Sequence, residues 1–302
     1  MMNKTNFTLR NAKLLTVAIA IGIVMTGCEN DDASNLGSSD LNSKDAVMMQ
    51  DNVEKVKKIF YSIPSTIEMA SIIKKSGASY NSELLNDINN VTNYTSSKSK
   101  AINLGIYGAD LSYTSIFNRN QESVFYLSCS KQLAEQLDIS NALSDDLLDR
   151  IQEQVEDREA LTDIVTETYW SLDSYLKDND REELSAMMVA GGWLEGLYLS
   201  TQIYLEGNAD TDLQQRIIDQ GIALDHLIQL VESHESLASM NDLKTDLRSI
   251  KDVYELSETE STGTMVVPSG VTVIGGPKYT MSESQLDNLA SLVKEIRTKY
   301  VS

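Results

Sequence analysis

The chain has 302 residues, with 25 Lys+Arg against 45 Asp+Glu, and therefore a formal net charge of −20 with neutral histidines. A surface this acidic repels nucleic-acid phosphates and anionic lipid headgroups, which argues against nucleic-acid binding and against a basic membrane-binding patch. The length suffices for one large domain or two small ones.

The N-terminal residues have the organisation of an export signal. Lys4, Arg10 and Lys13 are basic, and residues 14–25 then form an apolar run of about 12 residues. A bilayer-spanning helix needs roughly 20 apolar residues, so this run is too short to remain as a membrane span. We therefore predict a secretory signal peptide over residues 1–27.

The end of that segment, Met25-Thr26-Gly27-Cys28, resembles a bacterial lipobox, with Met25 where the motif most often has Leu. The resemblance implies cleavage before Cys28 and acylation of its sulfur, with palmitate among the attached chains. Two or three acyl chains give stable anchoring, so we expect a lipoprotein of the outer membrane, on its periplasmic or cell-surface face. The alternative is a chance cysteine at the end of an ordinary signal.

Residues 28–46 are polar, small and partly acidic, and they contain too few large apolar residues to fold. We predict a flexible acidic tether here. Its acidic start resembles the export signals of surface-exposed lipoproteins in Bacteroidota-type bacteria, and a simple solvated spacer is the alternative. Removal of residues 1–27 would leave a net charge of about −23, so the lipid would be the means of membrane attachment.

From residue 47 to 302 the sequence predicts a single all-α domain, either a multi-helix bundle or an irregular helical array. Apolar residues recur at three- and four-residue steps as far as residue 256, and no proline interrupts residues 65–267. Ser65 and Glu68 fit a capping box, Gly77 fits a left-handed helix end, and Asp178-Asn179-Asp180 fits a turn that caps the next helix.

Met187 to Leu205 is the most apolar stretch after the signal, yet Glu195 lies near its middle. This combination predicts a buried central helix rather than a membrane span. Glycines in the predicted helix 101–117 and in the central helix predict close approach of other helices; they are Gly105, Gly108, Gly192 and Gly196.

Two elements are predicted after the main run of helices. Residues 264–274 carry β-branched residues on both sides of Pro268-Ser269-Gly270, which predicts a small β-hairpin near the C-terminus. A terminal helix is predicted over 281–300, capped by Thr280 and Glu283, with a continuous apolar seam that must pack on another element.

Six residues on two of these helices form a candidate polar cluster that would either bind a ligand or fix the packing: Tyr107, Asp110, Tyr113, Trp193, Glu195 and Tyr198. Tyr107 and Asp110 share a helix face, so a phenol and a carboxylate could converge there. Glu195 needs a partner, because an unpaired buried carboxylate would take up a proton. If Asp110 faced Glu195 across an open cleft, the two could act as a glycosidase-like pair.

Other kinds of chemistry find little support in the sequence. His226 and His234 are eight residues apart, which is not the four-residue spacing of a helical metal pair, so no metal site is predicted. No phosphate loop, nucleophile elbow or dinucleotide motif is present, and no cofactor is predicted. Cys129 lies among apolar residues and is expected to be a core residue.

Three stretches, 61–65, 105–113 and 191–195, together resemble a family of helical lipoproteins of Bacteroidota to which no activity is assigned. The resemblance implies location and fold. We therefore expect a lipid-anchored envelope protein, more a non-enzymatic binding or scaffolding module than an enzyme. Its partners would be the membrane, through the lipid, and an envelope protein or small ligand of unknown identity. The alternative is a hydrolase that uses Asp110 and Glu195.

Overall fold

A computed structural model of the protein describes residues 63–143, 146–147, 150, 153–154, 157–207, 211–234, 238–255, 258–261, 265–266, 272–273 and 277–302. The predicted signal peptide, Cys28 and the tether lie outside these ranges. The described residues all belong to one compact unit, Met48–Ser302.

The described residues are mainly α-helical, which confirms the all-α class. The helices are α1 (Thr66–Lys75), α2 (Ser97–Ile116), α3 (Asn120–Gln136), α4 (Arg158–Asp178), α5 (Glu182–Leu205), α6 (Thr211–Glu232), α7 (Asn241–Glu255) and α8 (Glu283–Val301). Short 3-10 turns lie at Ser82–Leu84, Ile88–Thr92, Ser140–Ala142 and Ala238–Met240. The predicted helix around residues 144–156 lies largely outside the described residues.

Helix α5 is the centre of the fold, as its apolar sequence predicts. It contacts α1, α2, α4, α6 and α8, and nearly all of its residues from Leu184 to Ile203 are buried. Burial on every side requires an apolar surface on every side, which explains why α5 shows no polar face. No helix in the described part of the chain is both long and apolar enough to cross a membrane.

Helices α2 and α5 meet at glycines. A Cβ atom on Gly105 would lie 1.9 Å from the Met188 carbonyl oxygen, and one on Gly191 would lie 2.0 Å from the Ile102 carbonyl oxygen. The two backbones are therefore in direct contact, which confirms the close helix approach predicted at Gly105. Gly108 differs, because a Cβ atom there would have no neighbour within 4 Å.

The predicted helix ends are partly confirmed. Ser65 and Glu68 form the predicted capping box, and Gly77 has a φ of 81°. The last helix is capped by Ser282 with Gln285, so the prediction of Thr280 with Glu283 was wrong by two residues. The turn before α5 has Asp180 at a φ of 55°, but Arg181 is the N-cap residue and makes no side-chain capping bond.

Between α7 and α8, the described residues form four short strands. β1 (Glu258–Ser261) pairs antiparallel with β4 (Pro277–Thr280), and β2 (Met265–Val266) pairs antiparallel with β3 (Thr272–Val273). The outer pair was not predicted. The hairpin predicted over 264–274 is not established, because two residues of each arm are described and its turn lies outside the described residues.

Candidate functional site

A buried ion pair joins the central helix to the last one. The guanidinium of Arg297 on α8 donates from Nε to Glu195 Oε2 at 2.9 Å and from Nη2 to Glu195 Oε1 at 2.8 Å. The Glu195 side chain is 0% exposed and that of Arg297 is 10% exposed. Two parallel hydrogen bonds are the strongest arrangement that these two groups can form.

Asp110 on α2 is the third member of the site and is also 0% exposed. Its Oδ2 accepts a hydrogen bond from the Asn86 backbone N–H at 3.2 Å, whereas Oδ1 has no donor. The Glu195 carboxylate is near enough to raise the pKa of Asp110. A proton on Oδ1 would remove the need for a donor at this atom. Asp110, Glu195 and Arg297 are called the buried polar cluster below.

The surroundings of Asp110 in the buried polar cluster favour its neutral form. Burial raises the pKa of Asp110 well above its usual value, the neighbouring Glu195 carboxylate raises it further, and Arg297 opposes both effects only in part. Burial alone would lower the pKa of Arg297, but Glu195 raises it overall. With Asp110 neutral, the ion pair of Glu195 and Arg297 would leave the cluster with no net charge, the arrangement that costs least in a low-dielectric interior.

The polar groups around the cluster come from elements distant in sequence. Arg297 Nη2 also donates to the Leu84 carbonyl at 3.3 Å, and the Asn103 amide donates to the Tyr300 carbonyl at 2.9 Å. The Asn86 side chain donates to Tyr94 Oη at 3.0 Å. These bonds tie the segment before α2, α2 itself and the end of α8 to one another.

Two other predicted site residues lie beside the cluster. The Arg297 guanidinium carbon is 4.6 Å from the centroid of the Tyr198 ring, a cation–π contact. Tyr107 is fully buried and donates to the Asp87 carbonyl at 2.9 Å, next to the Asn86 that bonds Asp110.

The remaining two predicted residues have partners elsewhere. Tyr113 Oη accepts a hydrogen bond from the Asn81 backbone N–H at 3.1 Å, and its ring stacks on Tyr80 at 5.2 Å between centroids. Trp193 donates from its indole N–H to Gln220 Oε1 at 3.2 Å. Trp193 is two residues from Glu195, about 200° round the helix, so the two side chains face opposite sides.

Arg297 is the residue that the sequence analysis missed. Its signal lies in the last helix, where the apolar seam runs through Val293 and Tyr300 and position 297 is four residues after one and three before the other. A charged residue at a seam position must be paired once the seam is buried. Glu195 also needed a partner, and the two patterns together could have suggested the ion pair.

The buried polar cluster is closed, which limits the chemistry it can support. Asp110 and Glu195 are close enough to affect each other, but both are fully buried instead of lining an open cleft with a separation of about 5–9.5 Å, as glycosidase pairs do. A carboxyl pair without access for a sugar ring fits an internal packing network better.

Two other kinds of site were considered in the sequence, a reactive cysteine and a metal centre. Burial raises the pKa of the Cys129 thiol to about 11, and this residue is 7% exposed, so it is a protonated core residue at neutral pH. Within the described residues, no group of His, Cys, Asp or Glu side chains is arranged to hold a metal ion.

No protein-family model matches the chain, and no curated protein or solved structure matches it either.

Proposed function

We propose that this protein is a lipid-anchored component of the bacterial outer membrane whose folded part is a non-enzymatic binding or scaffolding module. The anchoring half of the proposal is supported by the sequence: a basic start, a short apolar run and the lipobox-like residues 25–28. The resemblance to helical lipoproteins of Bacteroidota belongs to the same proposal.

One observation carries the binding half of the proposal. Asp110 and Glu195, the pair that would serve a hydrolase, are completely buried, and Glu195 is paired with Arg297. The polar groups of the interior are thus used to hold α2, α5 and α8 together. A rigid helical body on an acidic tether is suited to presenting a surface or cavity to a partner. The hairpin predicted over 264–274 would form part of this body.

Replacement of the acylated cysteine tests the anchoring. Cys28→Ser removes the thiol that would be alkylated before cleavage at a lipobox, so we expect release from membranes or accumulation of the uncleaved precursor. The folded body should remain intact, because the substitution lies in the predicted tether. Membrane fractionation combined with radiolabelled palmitate measures both effects.

Cys129→Ala is the matched control, since it removes the other cysteine of the chain and should leave labelling and membrane recovery unchanged. Full processing and equal membrane recovery of the Cys28→Ser variant, with no label on the wild-type protein, would contradict the lipoprotein assignment.

A further inference from the structure

A cavity of about 380 Å³ lies between the start of α1 and the helices α4 and α5. Its walls include three aromatic residues, Tyr169, Trp170 and Trp193, together with Pro64 and Ile67. The volume is in the range of small-molecule sites, and a mainly apolar wall with a few polar groups is their usual composition. We call it the aromatic cavity.

The polar atom of the Trp193 side chain has a partner outside this cavity. The Trp193 indole N–H is already bonded to Gln220, which is not among the residues that line the cavity. Trp193 is 2% exposed, whereas Tyr169 and Trp170 are half-buried. The electron-rich faces of such rings attract cations more strongly than neutral groups of the same size.

The electrostatics of the aromatic cavity also favour a cation. Among its described lining residues, Glu68 is the one charged side chain. Its carboxylate accepts a hydrogen bond from the Ser65 backbone N–H at 2.7 Å and so stands at the N-terminus of α1. That helix end carries about +0.5 of an elementary charge, so the full negative charge of Glu68 exceeds it. The net charge of the whole chain, −20, has the same sign.

From these observations we infer that the aromatic cavity binds an organic ammonium ion with apolar substituents, such as a trimethylammonium group. The aromatic walls would surround the alkyl groups, and Glu68 would supply the counter-charge. This inference rests on the proposed function as a binding module, because it names the class of ligand.

The tryptophan content of the chain makes the inference directly testable. The protein has two tryptophans, Trp170 and Trp193, and both line the aromatic cavity. The tryptophan fluorescence of the detergent-solubilised full-length protein, excited selectively over that of tyrosine, therefore comes from residues that line this cavity. We would titrate it with choline and with 3,3-dimethylbutan-1-ol, the neutral isostere of choline, at constant ionic strength, and use glucose as a third probe.

We expect saturable fluorescence changes with choline and a dissociation constant at least about 10-fold lower than for the neutral isostere. Glu68→Gln should weaken choline binding several-fold, because glutamine keeps the capping box but removes the charge. Glu283→Gln is the matched control, since it removes a first-turn carboxylate from α8, which does not line the cavity. Trp170→Ala should weaken choline binding and Trp170→Phe should largely preserve it, with Trp193 as the reporter.

Equal affinity for choline and its isostere, or binding of glucose alone, would overturn the ammonium assignment and leave a cavity that binds a neutral ligand. The proposed binding module would survive that result. A fluorescence signal unchanged by all three probes would overturn the inference itself, whereas the palmitate experiment on Cys28 judges the anchoring independently.

Discussion

The buried polar cluster and the aromatic cavity lie on the same central helix, and each contains a glutamate. Glu195 is completely buried and held by two hydrogen bonds from Arg297, whereas Glu68 is exposed and caps α1 at the edge of the cavity. The buried carboxylate is fully committed to packing. The exposed one retains acceptor capacity toward solvent, where a ligand can reach it. The two glutamates thus differ in access: one holds the fold, and the other is the carboxylate that we propose meets a ligand.

Removal of the cation from the buried polar cluster should have the largest effect. Arg297→Met leaves Glu195 buried without its partner, and breaking a buried pair in this way costs about 3–5 kcal/mol of unfolding free energy. Urea denaturation followed by circular dichroism measures it. Lys294→Met on the exposed side of the same helix is the matched control and should change stability by no more than about 0.5 kcal/mol.

The closeness of α2 and α5 can be tested at their glycines. Gly105→Ala would force a Cβ atom against the Met188 carbonyl oxygen, so we expect a loss of about 1–3 kcal/mol or more. Gly108→Ala, one turn away on α2, meets open space and should stabilise the protein by up to about 1 kcal/mol through helix propensity. Equal effects of the two substitutions in thermal denaturation would contradict the close approach.

The buried carboxyl group of Asp110 predicts a pH dependence of the unfolding free energy. Its pKa is raised in the folded protein, so between about pH 4 and that raised pKa the folded state holds a proton that the unfolded state has lost. The stability contributed by this proton is complete below about pH 4 and is lost as the pH rises through the folded pKa, at up to about 1.4 kcal/mol per pH unit.

Asp110→Asn should remove that part of the slope, because an asparagine side chain can accept from the Asn86 N–H and donate to Glu195 at every pH. Urea denaturation at a series of pH values compares the two proteins. An identical slope in both would mean that Asp110 is ionised in the folded protein.

The smallest effect on stability is expected at the aromatic cavity. Glu68→Gln should change the unfolding free energy by less than about 0.5 kcal/mol, because glutamine serves equally well in a capping box and the residue is exposed. A loss comparable to that of Arg297→Met would show that Glu68 belongs to the packed core and is not a carboxylate available to a ligand.

The sequence predicted local features better than it predicted contacts between residues that are distant in the chain. The apolar run around Glu195 predicted a buried central helix and a partnered carboxylate, because burial and desolvation can be judged from neighbouring residues. The partner could not be identified, since Arg297 lies 102 residues away and only the packing of α8 on α5 brings it close. Tyr113 and Trp193 were grouped with the site because they are near in sequence, although helix geometry turns Trp193 away from it. The caps at 282 and 181 differ from the prediction because several polar residues compete at each helix start.

A double-mutant cycle on Glu195 and Arg297 tests the central claim most directly, namely that these residues form one closed, neutral unit that holds α5 and α8 together. Unfolding free energies would be measured for Glu195→Gln, Arg297→Met and the double variant. We predict that the double variant, which has no unpaired charge, loses less than the sum of the single losses by at least about 2 kcal/mol. Additive losses, with each single substitution costing less than about 1 kcal/mol, would contradict the account.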